Sequence, residues 1–424
     1  MTAVHAGCQP AVDILVEEGV DLETKGEEES FEGFTALHRA CYESRPDFVR
    51  FLVSKGAGVN AEDKLGRTPL TYAAYEGPPE VFEHLLSKGA DLEKSVDNGG
   101  VTALHVAAAG NQKEIAEMIL DRGMIDVDVT SFALHNVETP LHFTAHCDES
   151  CSVVRDSDAV AELLISRGAD VNARDLDDRT LLHKAASYGC VKVLQLALDR
   201  GAEIDAVDDV GETPLMCTGH MIGRRVFDSD ACAKVLLDRG ADVNATDAGM
   251  QTVVHKAATN DCVKVLQLAL DRGANVEARD DRERTPLHCV LRSETFRVMV
   301  GNDAAARLLL ARGADVNARI TGEQTILHVA AEWGRVNILQ VALDHGADVN
   351  ASDRHGENAL HMLVWPSDKR TPEGTMQAAQ MLVTHGINVQ AENDNERTPL
   401  QMAEVAEKSF PGLPILEFLR SLEA

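Results

Sequence analysis

The stretch Leu181 to Ala206, LLHKAASYGCVKVLQLALDRGAEIDA, recurs within the chain, and this self-similarity constrains the fold more than any other feature. Val253 to Ala278 reads VVHKAATNDCVKVLQLALDRGANVEA. From His183 and His255 onward, 18 of 24 paired positions are identical. Ile326 to Ala351, ILHVAAEWGRVNILQVALDHGADVNA, is a third version. A segment repeated at this length is a module that hides its apolar face by stacking on copies of itself.

Each module predicts two helices. Thr180 suits an N-cap, because its hydroxyl can accept a hydrogen bond from a first-turn amide. In other copies the next residue is proline, at Pro69, Pro140, Pro214, Pro286 and Pro399. Proline is tolerated there because that amide has no helical partner to lose. A short first helix then holds Leu182, Ala185 and Ala186, and Gly189 ends it. The second helix, Val191 to Arg200, is apolar on more than one stripe and must be covered on several sides. Gly201 suits the left-handed closing position, and Arg200 suits the negative end of the helix dipole. A turn-rich connector leads to the next copy.

The first-helix marker appears as TALHRA at Thr35, TPLTYA at Thr68, TALHVA at Thr102 and TPLHFT at Thr139. It continues as TLLHKA at Thr180, TPLMCT at Thr213, TVVHKA at Thr252, TPLHCV at Thr285, TILHVA at Thr325, NALHML at Asn358 and TPLQMA at Thr398. The connector GADVNA is intact at Gly168, Gly240, Gly313 and Gly346. This pattern resembles the ankyrin repeat, a helix, a turn, an antiparallel helix and a β-hairpin finger. The resemblance implies an all-α solenoid with β-hairpin fingers, about eleven repeats and a partial N-terminal one.

The chain divides by repeat type. Residues 1–33 read as a partial repeat and an acidic finger with Glu27, Glu28, Glu29 and Glu32. Residues 34–137 hold three regular repeats, and the last finger carries Phe132 and Leu134 near its tip. Residues 138–397 alternate: short repeats start at Thr180, Thr252 and Thr325, long ones at Thr139, Thr213, Thr285 and Asn358. Residues 398–424 read as a C-terminal cap. The extra residues of each long repeat fall between its two helices, in segments 146–158, 219–230, 291–303 and 364–375. On the family's plan this row lies opposite the fingers. Its Arg155, Arg225, Phe227, Phe296, Arg297, Trp365, Lys369 and Arg370 suit interface hot spots. The competing expectation is that the inserts extend the first helix and fold back over the core. Further partner-binding candidates are Arg39, Tyr42, Tyr72, Tyr75, Tyr188 and Trp333, near the ends of first helices.

Net charge is −29, which argues against direct nucleic-acid binding and favours basic protein partners. No stretch approaches the length of a membrane-spanning helix, and residues 1 to 20 carry no signal-peptide pattern. The odd number of cysteines, nine, with Cys190 equivalent to Cys262 and Cys217 to Cys289, predicts buried thiols in a reducing compartment. Eight of the 16 histidines occupy the marker slot, including His142, His183, His255 and His288 after Thr139, Thr180, Thr252 and Thr285. The resemblance implies that they lock finger to helix. Asp170, Asn172, Asp242 and Asn244 read as turn formers; in the family that Asn is sometimes hydroxylated.

His142, His146, Cys147 and Cys151 have a spacing that could hold zinc, but His142 already belongs to the slot, so no metal and no cofactor are expected. No phosphate-cradling glycine loop, nucleophile elbow or H-E-x-x-H occurs. The expected function is a non-catalytic, monomeric protein-interaction scaffold or adaptor, cytoplasmic or nuclear. Two alternatives stand beside it. One is a transcription co-regulator binding a basic activator, from a likeness in style to stand-alone ankyrin proteins of filamentous fungi. The other is a metal protein or enzyme using the 142–151 cluster.

Overall fold

The computed structural model describes residues 2–26, 32–93, 99–132, 136–147, 154–156, 158–219, 221–222, 225–226, 229–291, 303–367 and 370–423. Every threonine marker opens a short helix that is followed by a second one, as at Ala36–Tyr42 with Pro46–Ser54 and at Leu181–Tyr188 with Val191–Asp199. The second helices of the regular and short repeats are nine residues long. Gly201 follows one with φ of 89°, and a Cβ there would meet nothing within 4 Å, so the glycine is required by its backbone angle, not by lack of space. Gly110 differs: a Cβ there would collide with the Tyr75 carbonyl, so here the close approach of two helix ends requires it.

The chain forms two compact units, Met1–Asp209 and Val210–Ala424. In the first, the first helices Ala36–Tyr42, Pro69–Glu76, Ala103–Ala109 and Pro140–Phe143 pack in sequence order. In the second, Pro214–Cys217, Val253–Thr259, Pro286–Cys289 and Ile326–Glu332 do the same. Each core is a strip of one leucine or valine from the first turn, two small residues, and the inward stripe of the second helix. Leu182, Ala185, Ala186, Val193, Leu194 and Ala197 are all fully buried. Such a strip has no centre; stability is a sum of neighbouring contacts.

Fingers are hairpins closed by a single backbone pair, such as Asp63 N–H to the Arg67 carbonyl and Asp175 N–H to the Arg179 carbonyl. Several neighbouring fingers are also tied backbone to backbone, for example Asp209 N–H to the Asp177 carbonyl and Ala248 N–H to the Val210 carbonyl. Named strand pairs occur in inserts instead: Ala145–Cys147 with Val154–Asp156, and Met221–Ile222 with Arg225–Val226, both antiparallel. The inserts therefore do not extend the first helix. They cut it to four residues, Pro140–Phe143, Pro214–Cys217 and Pro286–Cys289, and to a 3-10 turn at His361–Leu363.

Candidate protein-interaction surface

The slot histidines do structural work with both ring nitrogens. In the first regular repeat the Thr35 amide donates to His38 Nδ1 at 3.1 Å, and His38 Nε2 lies 3.0 Å from the Arg67 carbonyl in the following finger. A nitrogen that accepts from an amide carries no proton, and one that faces a carbonyl must carry it. The ring is therefore the neutral Nε2–H tautomer. The same pair of bonds recurs at His105, His142, His255, His328 and His361, to the carbonyls of Glu138, Ala173, Arg284, Glu357 and Arg397. Burial pushes the pKa of His38, His255, His328 and His361 down, and that of His105, His142 and His288 to about 4. His183 Nδ1 accepts from the Thr180 amide in the same way. His288 differs, because its Nε2 is buried with no hydrogen-bond partner among the described residues. The next finger there carries Ile320 where Asp63, Asp175, Asp208, Asp247, Asp280, Asp353 and Asn393 stand in other fingers.

That finger residue is a brace with no place among the sequence expectations. Asp63 Oδ1 accepts the amides of Leu65 and Arg67, while Oδ2 accepts the Tyr72 hydroxyl at 2.6 Å and Arg67 Nε at 2.9 Å. Burial would raise this carboxyl, but the Tyr72 and Arg67 bonds outweigh it and hold its pKa below the usual range. Asp175, Asp247 and Asp280 repeat the two-amide grip and give their second oxygen to Lys184, Lys256 and Arg284. Its sequence signal is a carboxylate four residues before the last finger position, with a cation or tyrosine in reach. The connector residues also divide their work. Asp170 Oδ1 accepts the Asn172 amide within its own turn, whereas Asn172 Oδ1 accepts the Glu203 amide of the next repeat. Asn60, Asn244, Asn317 and Asn350 reach the next repeat in the same way.

The candidate binding residues separate into braces and exposed groups. Tyr72 is buried, with its hydroxyl spent on Asp63. Arg39 is buried and bonds Glu43 through Nε at 2.5 Å. Arg370 donates to the carbonyls of Glu332, Met362, Leu363 and Trp365 and to Thr375 Oγ1. It caps the C-terminal ends of two successive first helices. Tyr42 is 43% exposed and packs edge-on to Tyr72, and Tyr75 is half-buried. Trp365 is 44% exposed and meets Phe410 edge-on at 6.5 Å. Tyr188 and Trp333 are both half-buried.

Among finger tips, Leu65, Phe132, Leu176 and Met250 are exposed. The backbone places Arg155 and Arg225 on the insert strands, opposite His146 and Ile222. Phe227, Phe296, Arg297 and Lys369 lie outside the described residues, as does Leu134. So does Cys151 of the 142–151 cluster. Cys41, Cys190, Cys217, Cys232, Cys262 and Cys289 are buried, and Cys8 is exposed.

Stacked helix pairs, histidine-locked fingers and a D-V-N-A connector define a repeat array whose chemistry is internal bracing. Models of this family, described as ankyrin repeats in three or many copies, match residues 1–96, 60–133, 91–175, 149–247, 220–320 and 307–363. The chain belongs to the ankyrin repeat family, whose domains are generally protein–protein interaction modules. It is 31% identical over 240 residues to ankyrin repeat and SOCS box protein 16 of Mus musculus, covering 56% of this chain and 51% of that one. It is 31% identical to the B-cell lymphoma 3 protein homolog of Mus musculus over 46% of this chain and 41% of that protein. To the E3 ubiquitin-protein ligase KEG of Arabidopsis thaliana it is 27% identical over 62% of this chain and 16% of that protein. The chain thus spans about half or less of the length of these relatives. Among solved structures, the ankyrin repeat domain of Bcl-3 is 27% identical, with 57% of this chain and 99% of that one covered and a TM-score of 0.46. No described helix is long and apolar enough to cross a membrane.

Proposed function

We propose that the chain is a non-catalytic protein-interaction scaffold that binds through exposed side chains at finger tips and at the ends of first helices. One observation carries this reading. The repeated polar residues are consumed by bonds inside and between repeats, while large apolar side chains stand exposed where the repeats differ from one another. Leu65, Leu176, Tyr42 and Trp365 belong to this second set. Exposed aromatic and aliphatic groups held on rigid elements suit interface anchors. With a net charge of −29, the favoured partners are basic proteins. The insert row stays a third binding edge of the proposal, through Arg155, Arg225, Phe227, Phe296 and Arg297.

Quantitative affinity capture tests the reading. The wild-type chain is compared with Tyr42→Ala/Tyr75→Ala, with Leu65→Ser/Leu176→Ser and with Trp365→Ala, each checked by circular dichroism. Loss of a shared set of partners from at least one folded variant supports the proposal. Unchanged partners in all three, or none above a scrambled-surface control, would sink it.

A further inference from the structure

Thr-Pro occurs six times in the chain, and Ser-Pro does not occur. Five of the six are repeat markers. Their threonines, Thr68, Thr139, Thr213, Thr285 and Thr398, are only 1% to 6% exposed. The sixth, Thr371-Pro372, lies in the last insert, and Thr371, Pro372 and Glu373 are all exposed. The backbone does not separate the two kinds. Thr371 has φ of −84° and ψ of 157°, the extended conformation that a following proline favours, and Thr139 shares it with φ of −89° and ψ of 163°. What separates them is cover. The Thr139 and Thr285 hydroxyls lie 3.0 and 2.9 Å from the buried imidazoles of His142 and His288. Thr371 Oγ1 instead accepts the Gly374 amide at 3.1 Å, and among the described residues no group accepts its hydroxyl proton.

We infer that Thr371 is a phosphate acceptor for a proline-directed protein kinase, and that the phosphate is displayed on the folded array without unlocking it. In the transfer, Thr371 Oγ1 bonds to the γ-phosphorus of a nucleoside triphosphate. The bond from that phosphorus to the β–γ bridging oxygen breaks, the hydroxyl proton passes to the kinase's base, and nucleoside diphosphate leaves. Arg370 decides the consequence. All five of its N–H groups are engaged, Nε on Thr375 Oγ1 and the two terminal nitrogens on the carbonyls of Glu332, Met362, Leu363 and Trp365. It therefore has no spare donor with which to clamp the phosphate. The phosphate meets the Gly374 amide and the first turn of Pro372–Thr384, where negative charge is favoured. The modification adds about two negative charges at pH 7 next to the arginine that holds the Trp365 carbonyl. It thus bears on the Trp365 contact of the protein-binding reading, but the acceptor assignment does not depend on that reading.

The intact 424-residue chain is incubated with a purified proline-directed serine/threonine kinase and ATP, and the modified residues are mapped by mass spectrometry. A synthetic peptide of residues 370–378, RTPEGTMQA, reports whether the kinase accepts this sequence outside the fold. Phosphate is expected on the peptide and on Thr371 of the intact chain, with the five marker threonines unmodified. Thr371→Ala should lose the modification and Thr371→Ser should keep it. The melting temperature of the phosphorylated chain should rise or stay within about 2 °C of the unmodified one. No phosphate on the intact chain, whether or not the peptide is modified, would overturn the acceptor assignment. So would undiminished incorporation in Thr371→Ala, or modified marker threonines in the folded chain. A melting temperature lower by more than about 2 °C would mean that the phosphate draws Arg370 off its carbonyls, and would overturn the display.

Discussion

A buried imidazole that accepts from one backbone amide and donates to a carbonyl in the following finger is replaced at least cost by a group that keeps the first bond. The chain already contains the comparison. Gln401 stands in the slot of the last repeat and accepts the Thr398 amide through Oε1 at 3.0 Å, and Thr71 does so for Thr68 at 3.2 Å. Met216 cannot, and there Thr213 Oγ1 is left buried without a partner among the described residues. His142→Gln should therefore cost less stability than His142→Ala, which loses cap and cross-repeat bond together, about 1–2 kcal/mol. Urea unfolding of both variants checks this; equal losses would contradict it. Asp128 is a second single-residue case. It occupies the place of the cross-repeat asparagine and accepts the Asp170 amide at 3.1 Å. Burial raises its pKa, and the charges of Asp170 and Asp126 add to this. Asp128→Asn keeps an acceptor and removes the repulsion, so the melting temperature should rise by roughly 1–2 °C. The histidine slot was legible because it recurs with a fixed neighbour. The finger aspartate was not, because its second partner is Tyr72 in one repeat, Lys184 in another and Arg284 in a third, and only the fold brings them to one oxygen.

Helices and their order follow from local signals: threonine caps, proline at the first turn, glycine at the end and a broad apolar stripe. The inserts do not follow from them. Their apolar and basic residues permit helix extension or a hairpin, and the choice turned on where the first helix stops. Arg370 illustrates the difficulty. As a basic residue beside Trp365 it reads as a contact for a partner, yet its guanidinium caps the ends of two successive first helices. Gly334 permits this, since a Cβ there would collide with Arg370 Cβ. Arg370→Gln should cost roughly 2–3 kcal/mol, because buried carbonyls lose charged donors. Urea unfolding measures the cost, and a loss under about 0.5 kcal/mol, typical of a surface site, would assign Arg370 back to the surface. Among the described residues, the repeat beginning at Thr285 lacks two braces at once, the His288 Nε2 bond and the finger aspartate replaced by Ile320. Hydrogen exchange should be faster at its first helix than at Val253–Thr259, and Ile320→Asp should slow it. Equal exchange in the two helices would count against the bracing account.

Across the whole molecule the slot histidines act together. The folded pKa of His38, His105, His142, His255, His288, His328 and His361 lies below the ordinary 6.5, near 4 for His105, His142 and His288. The stability they contribute is complete above about pH 6.5 and is lost as pH falls from there toward 4, because the unfolded chain takes up protons that the folded array refuses. Finger carboxylates with lowered pKa, such as Asp63 and Asp280, add a second loss that begins only below about pH 4. Relief of acidic self-repulsion acts in the opposite direction and is screened by salt. At about 0.5 M salt, melting temperature should therefore fall between pH 6.5 and 4.5, and less steeply in a variant with His105 and His142 both changed to Gln. A flat profile would remove the histidines from the account.

If bracing residues build the array and exposed variable residues bind, a captured partner must protect the second set. Hydrogen exchange of the chain, alone and with its most abundant captured partner, tests this most directly. New protection at the ends of Ala36–Tyr42 and Pro69–Glu76 and at the tips around Leu65 and Leu176, with slot turns unchanged, is the predicted result. A partner that binds with no change at those positions would contradict it.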